Sequence, residues 1–172
     1  MTRFPFAIAL ILTATAANAQ APYAGMQTRP IKALSEAQVA DLRAGRGMGL
    51  ALAAELNGYP GASHVLELAD KLALSADQRA GVQRLFDAMK AEAVPLGSKL
   101  IEQEADLDTQ FAGRSVTPES LKISTAAIAA TQGTLRETHL KYHLSTVALL
   151  TPIQMQRYGE LRGYGHAKHH HH

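Results

Sequence analysis

The chain has 172 residues, with 17 lysines and arginines against 15 aspartates and glutamates, and it contains no cysteine. The near balance of charge argues against a nucleic-acid partner. The absence of cysteine excludes disulfides, thiolate catalysis and cysteine-type zinc sites. The length suits one domain with a sizeable core.

Residues 1–19 have the pattern of a secretory signal peptide. Arg3 supplies the positive charge, the segment from Phe6 to Leu12 is apolar, and Ala17-Asn18-Ala19 forms an A-x-A cleavage site. The apolar stretch is too short to span a bilayer, and no later stretch is long and apolar enough. We therefore expect an exported protein, cleaved after Ala19, without a transmembrane segment in the mature chain.

Residues 20–62 are expected to form an N-terminal extension with a short helix. The segment from Gln20 to Lys32 carries two prolines and a glycine without periodicity, which predicts a loose segment. A short helix follows over residues 35–44, then a glycine-rich run over residues 45–49, and a further helical turn over residues 50–56. The run resembles a phosphate-binding loop, but no strand precedes it and no Lys-Ser/Thr follows, so nucleotide binding is not expected.

The string Leu-Ser/Thr-x-x-Gln occurs three times, at residues 34–38, 74–78 and 150–154. Each copy predicts a helix start, because the hydroxyl can accept a hydrogen bond from an early backbone N–H group. The glutamine three positions later can reach back to the backbone N–H group of the Ser or Thr, which completes a capping box. Any helical protein collects such boxes, but three copies that each follow a leucine are typical of a family signature.

Residues 63–162 predict a bundle of helices. A short helix is expected over residues 64–73, and Ser75 begins a long helix whose apolar residues recur at helical spacing as far as Phe111, with a kink at Pro95. Thr117-Pro118 begins a second long helix with apolar residues every seven positions. A last helix runs over residues 152–161. The predicted fold is all-α: a long antiparallel helical hairpin with short flanking helices, a four-helix hooked bundle.

Residues 163–172 form a histidine-rich tail that ends in four consecutive histidines. Two readings stay open for this tail: a purification tag, or a natural tail that collects metal ions.

An exported chain without cysteine, in which long helices alternate with Leu-Ser/Thr-x-x-Gln, resembles the Spy/CpxP family of periplasmic LTXXQ-motif proteins. The broader superfamily includes ZraP-like zinc-binding proteins and CnrX-like metal sensors. The resemblance covers residues 63–162 and implies periplasmic location, a helical hairpin, frequent homodimers, and a chaperone or metal-responsive role. The balanced charge departs from the basic surface of Spy-like chaperones. The cleavable signal peptide departs from the membrane-anchored sensors, so their ligand set is not carried over.

The candidate metal ligands are His64, Glu67, His139 and His143. The last two lie four residues apart on the second long helix, which places both imidazoles on one face. If the hairpin turns near Arg114, position 141 lies level with about position 88, and His64 lies at the same height. Glu67 lies three residues from His64 and can add a carboxylate. Imidazole ligands suit Zn, Cu or Ni, and the sequence does not rank these metals.

Two functions are compatible with these features, and neither is enzymatic. The chain lacks G-x-S-x-G, H-E-x-x-H and a cysteine nucleophile, so no catalytic residue is expected. The first function is a periplasmic stress or metal-resistance protein that binds a transition metal. The alternative is an ATP-independent holdase that binds unfolded client proteins on the apolar concave side of a hairpin dimer.

Overall fold

The structure is a computed structural model that describes residues 23–164. These residues contain six α-helices, one 3-10 turn and no strand, so the all-α prediction is confirmed. The predicted signal peptide (1–19) and the tail from Gly165 onward lie outside the described residues. No helix in the described range is long and apolar enough to cross a membrane. The helices are α1 (Glu36–Arg43), α2 (Leu52–Glu55), α3 (Ala62–Glu67), α4 (Ala76–Ala112), α5 (Pro118–Val147) and α6 (Pro152–Leu161).

All three repeated motifs begin a helix, as predicted. Ser35, Ser75 and Thr151 each accept a hydrogen bond from the backbone N–H of the motif's glutamine, at 3.1–3.2 Å. The glutamine side chain in turn accepts from the backbone N–H of the Ser or Thr, which completes the capping box. These boxes precede α1, α4 and α6.

Two of the capping glutamines also bind each other. The Nε2 atoms of Gln78 and Gln154 donate to the opposite Oε1 atoms at 2.8 and 3.0 Å. Gln78 also donates to the carbonyl of Leu149, and Gln154 to that of Leu72. The first turns of α4 and α6 are therefore joined by the same side chains that cap them.

Helices α4 and α5 run side by side in opposite directions. Gln110 Nε2 donates to Ser124 Oγ at 3.2 Å, and Lys141 Nζ donates to Glu92 Oε2 at 2.5 Å. Position 141 thus lies beside position 92, one helical turn from the predicted position 88. Helix α4 continues without interruption through Pro95.

The N-terminal extension packs on this helix pair. Leu42 of α1 is buried in one apolar cluster with residues of α4 and α5. Gly97 of α4 lies so close to the Leu42 carbonyl that any side chain at position 97 would collide with it. The expectation of a loose segment up to Lys32 is wrong for its later part. Ile31 packs against the same cluster, and Lys32 Nζ contacts Asp108 Oδ2 at 3.1 Å, because the segment lies along α4.

A second apolar cluster joins α3, the start of α4 and α6. Its members are nearly inaccessible to solvent, and they are Ala62, Val65, Leu72, Val82 and Tyr158. Helix α3 is shorter than the predicted 64–73, since it spans 62–67. Turns follow it, and Ala73 adopts the left-handed backbone conformation with a φ of 50° before Ser75 begins α4.

Candidate functional site

One cavity of about 480 Å³ lies between α3, the glycine-rich loop, α4 and α5. All four residues predicted as metal ligands line it. Residues of α4 and of the glycine-rich loop complete its lining. Met89 and Lys90 of α4 are among the other lining residues.

His139 is the most deeply buried of the predicted ligands, with 6% of its surface exposed. Its Nε2 atom is inaccessible to solvent and has no hydrogen-bond partner among residues 23–164. A Cβ atom at Gly47 would lie 3.4 Å from its Nδ1 atom, so the glycine-rich loop passes directly over the ring. Burial and, to a lesser extent, the charge of His143 lower the pKa of His139. The imidazole is therefore neutral at pH 7, the form that binds metal.

His143 is held in one orientation by the segment that leads into α3. Its Nδ1 atom lies 2.6 Å from the backbone carbonyl of Tyr59. Because a carbonyl only accepts hydrogen bonds, Nδ1 carries the proton, and Nε2 of the neutral ring carries the lone pair. A Cβ atom at Gly61 would lie 2.9 Å from this Nε2 atom. Position 61 therefore requires glycine for the ring to lie where it does.

His64 contacts a residue that the sequence analysis did not identify, Glu55 of α2. The Nδ1 atom of His64 lies 3.3 Å from Glu55 Oε1. Glu55 is only 5% exposed, although it is a carboxylate on a four-residue helix. The Nδ1 atom of His143 lies 3.8 Å from its other oxygen, Oε2. One buried side chain thus approaches two of the three imidazoles.

Three further groups surround the Glu55 carboxylate. The backbone N–H of Gly61 donates to Oε2 at 3.1 Å, and the hydroxyl of Tyr158 donates to Oε1. Arg162 Nε lies 3.8 Å from Oε1. Burial and the hydrogen bond to Glu55 raise the pKa of Tyr158 far above its usual value, so its hydroxyl keeps its proton. Buried carboxylates require such partners, since an isolated buried charge is strongly destabilising.

Glu67 lies at the solvent-exposed edge of the cavity, where Ser63 Oγ approaches its Oε1 atom at 3.5 Å. Within residues 23–164, no group of three or more His, Asp or Glu side chains is gathered closely enough to hold a metal ion as it stands. The structure therefore brings the four predicted ligands to one cavity without assembling their donor atoms around one point.

Glu55 could not be found from the sequence, because no spacing relates it to the histidines. It lies nine positions before His64 and far from His143, on a segment predicted only as a helical turn. The only signal for Glu55 in the sequence is a negative charge among small and apolar neighbours. Many exposed helical turns have the same pattern, so it does not single out a buried residue.

Comparisons of the chain with protein-family models, with curated proteins and with solved structures give no match. The resemblance to the Spy/CpxP family therefore stays a prediction from the repeated motif.

Proposed function

We propose that this protein is a non-enzymatic metal-binding protein of the periplasm that takes a transition metal ion into the cavity between α3 and α5. The observation that carries the proposal is that three imidazoles line one cavity, one of which has a buried nitrogen without a hydrogen-bond partner among residues 23–164. An unsatisfied buried nitrogen is costly, and a ligand for it offsets that cost.

The chemistry of the three rings supports this proposal. His139 is neutral at pH 7, and the hydrogen bond to Tyr59 leaves the lone pair of His143 on Nε2. His64 is partly exposed, so a metal ion can reach its ring. Glu67 at the cavity edge can supply a carboxylate oxygen. Imidazole and carboxylate donors suit Zn, Cu and Ni.

The motif and its placement support the family assignment within the same proposal. The three capping boxes stand at the starts of α1, α4 and α6, and the antiparallel α4–α5 pair with short helices at one end agrees with a hooked four-helix bundle of the Spy/CpxP type. Periplasmic location and homodimers are part of this proposal, through the resemblance.

Calorimetric titration with Zn(II), Cu(II) and Ni(II) tests metal binding. The five tail histidines (His166 and His169–His172) are first replaced by asparagine in the full chain, so that the tail cannot contribute. We expect micromolar or tighter binding of at least one metal. His139→Ala with His143→Ala should abolish it, whereas the exposed pair Gln132→Ala with Arg136→Ala, also four residues apart on α5, should not change it. Failure to bind any of the three metals would refute the proposal.

A second function, holdase activity, is favoured by a separate observation. Large apolar side chains are exposed where α4 ends and α5 begins, namely Phe111 (54%), Leu121 (37%) and Ile123 (61%). The Gln110–Ser124 hydrogen bond puts Phe111 and Ile123 at the same height. Exposed apolar surface of this kind can bind unfolded clients.

Light scattering of a chemically denatured client, with protein at equal concentration, tests this second function. Phe111→Ser with Ile123→Ser should reduce suppression of aggregation, and Gln132→Ala with Arg136→Ala serves as the matched control. If the unaltered protein does not suppress aggregation, with or without metal, the protein is not a holdase.

A further inference from the structure

We infer that Glu55 is a positioning residue that sets the tautomer of His64 and supports that of His143, so that the Nε2 atom of each ring offers its lone pair to a metal ion. The expected effect of Glu55 on metal affinity rests on the proposed function. The geometric content of the inference, the tautomers of the two rings, is independent of metal.

The contacts of Glu55 favour this role over a purely structural one. The carboxylate reaches each ring at the same atom, Nδ1, at 3.3 Å for His64 and 3.8 Å for His143. A carboxylate only accepts hydrogen bonds, so it favours the tautomer in which Nδ1 carries the proton. Both rings line the cavity and Glu55 does not, so it contacts the rings from behind the cavity wall. Both oxygens of Glu55 already accept hydrogen bonds, so we do not assign it as a metal ligand.

The carboxylate can orient the rings because it is itself held from several directions. The Gly61 N–H group donates to Oε2, the Tyr158 hydroxyl donates to Oε1, and Arg162 lies nearby. These groups come from the start of α3 and from α6, so the position of Glu55 depends on both elements. The ordering of both oxygens is the property that an outer carboxylate needs in order to orient ligands.

The two rings depend on Glu55 to different degrees. For His64, Glu55 provides the hydrogen-bond acceptor that Nδ1 contacts. For His143, the Tyr59 carbonyl is much closer, at 2.6 Å, and Glu55 is a secondary partner. Loss of the Glu55 carboxylate should therefore change the tautomer of His64 and leave that of His143 largely unchanged. This difference separates a specific orienting effect from general loosening of the fold.

The first test is the long-range ¹H–¹⁵N spectrum of the unaltered, metal-free full chain at pH 8. We expect His64 and His143 to show a protonated Nδ1 and an unprotonated Nε2. In Glu55→Gln, which lacks the charge, His64 should shift toward the other tautomer and His143 should keep its own. A protonated Nε2 on His64 in the unaltered protein would overturn the inference, and this result does not depend on whether the variant folds.

The second test measures metal affinity in the background without tail histidines. Because outer carboxylates contribute about 10–100-fold to metal affinity, Glu55→Gln should weaken binding by that factor. The matched control is Glu137→Gln, which removes an exposed carboxylate on α5 that does not line the cavity, and it should leave the affinity unchanged. The inference would be overturned if the two variants lost metal affinity equally. It would also be overturned if Glu55→Gln kept both the affinity and the tautomers of the unaltered protein. If the unaltered protein binds none of the three metals, the proposed function fails, and the tautomer result still decides the role of Glu55.

Discussion

The two ends of the α4–α5 pair are built differently. At the covered end, Val65, Leu72, Val82 and Tyr158 are almost fully buried beneath α3 and α6. At the turn end, Phe111, Leu121 and Ile123 remain substantially exposed. The difference arises because α3 and α6 both pack against the start of α4, where the Gln78–Gln154 pair joins α4 to α6. The difference indicates that stability is concentrated at the covered end, next to the histidine cavity.

The largest effect is expected from a cavity made in the covered end. Leu72→Ala should destabilise the protein by about 2–5 kcal/mol, since it removes a fully buried side chain from a packed cluster. Ile123→Ala at the turn end, where the side chain is mostly exposed, should cost less than about 1 kcal/mol. Urea unfolding followed by circular dichroism measures both. Equal destabilisation would contradict the proposed difference between the two ends.

Metal binding should stabilise the covered end by a comparable amount. At a hundredfold excess over Kd, a ligand that binds only the folded form adds about 2.7 kcal/mol, or about 5–10 °C in Tm for a chain of this size. The metal must compete with protons for the imidazoles, so this gain should fade as the pH falls from 7.5 to 5.0. Melting curves at both pH values, in the background without tail histidines, provide the measurement. A shift that survives His64→Ala unchanged would show that α3 does not participate.

Without metal, His139 makes a separate contribution to the pH dependence. Its pKa is lower in the folded protein than in the unfolded chain, because of burial and then His143. Between these two pKa values the unfolded chain binds more protons, so stability should fall as the pH drops below about 6.5. His139→Leu should flatten this part of the curve of unfolding free energy against pH. An unchanged slope in His139→Leu would assign the acid sensitivity to other groups.

The capping glutamines allow a matched comparison of smaller size. Gln154→Ala removes the side-chain hydrogen bond of a capping box and also the hydrogen bonds to Gln78 and to the Leu72 carbonyl, so a loss of about 1–3 kcal/mol is expected. Gln38→Ala removes only the side-chain hydrogen bond of a capping box, since the backbone N–H of residue 38 still donates to Ser35, and it should cost about 0.5–1 kcal/mol. Chemical unfolding of both variants measures the difference. Equal losses would mean that the Gln78–Gln154 pair contributes nothing to joining α6 to α4.

The smallest change in stability is expected from Glu104, in the half of α4 nearer the turn. Burial raises the pKa of Glu104, so the folded protein binds its proton more tightly than the unfolded chain does. The resulting stability is present below about pH 4.5 and is lost as the pH rises through the raised pKa. Glu104→Gln should therefore stabilise the protein at pH 7, by no more than about 0.5 kcal/mol. The exposed Glu102→Gln is the control, and an equal gain there would point to overall charge instead.

The sequence by itself determined where helices begin. Ser35, Ser75 and Thr151 cap α1, α4 and α6 as predicted, because a capping box involves atoms only three residues apart. The extent of α4 and α5 also followed from local apolar spacing. The end of α3 did not follow, since the pattern continued past Glu67 while the chain turned to reach α4.

Only the tertiary structure decided what surrounds the histidines. The helix lengths predicted that the three histidines lie at one height of the bundle, and His64, His139 and His143 do line one cavity. The register of α4 against α5 differs from the prediction by one helical turn. Glu55 and the second partners of Gln78 and Gln154 could not be predicted. Each depends on contacts between residues distant along the chain. Such contacts depend on how the helices pack and on the need of buried polar groups for hydrogen-bond partners. The local spacing of residues in the sequence predicts neither.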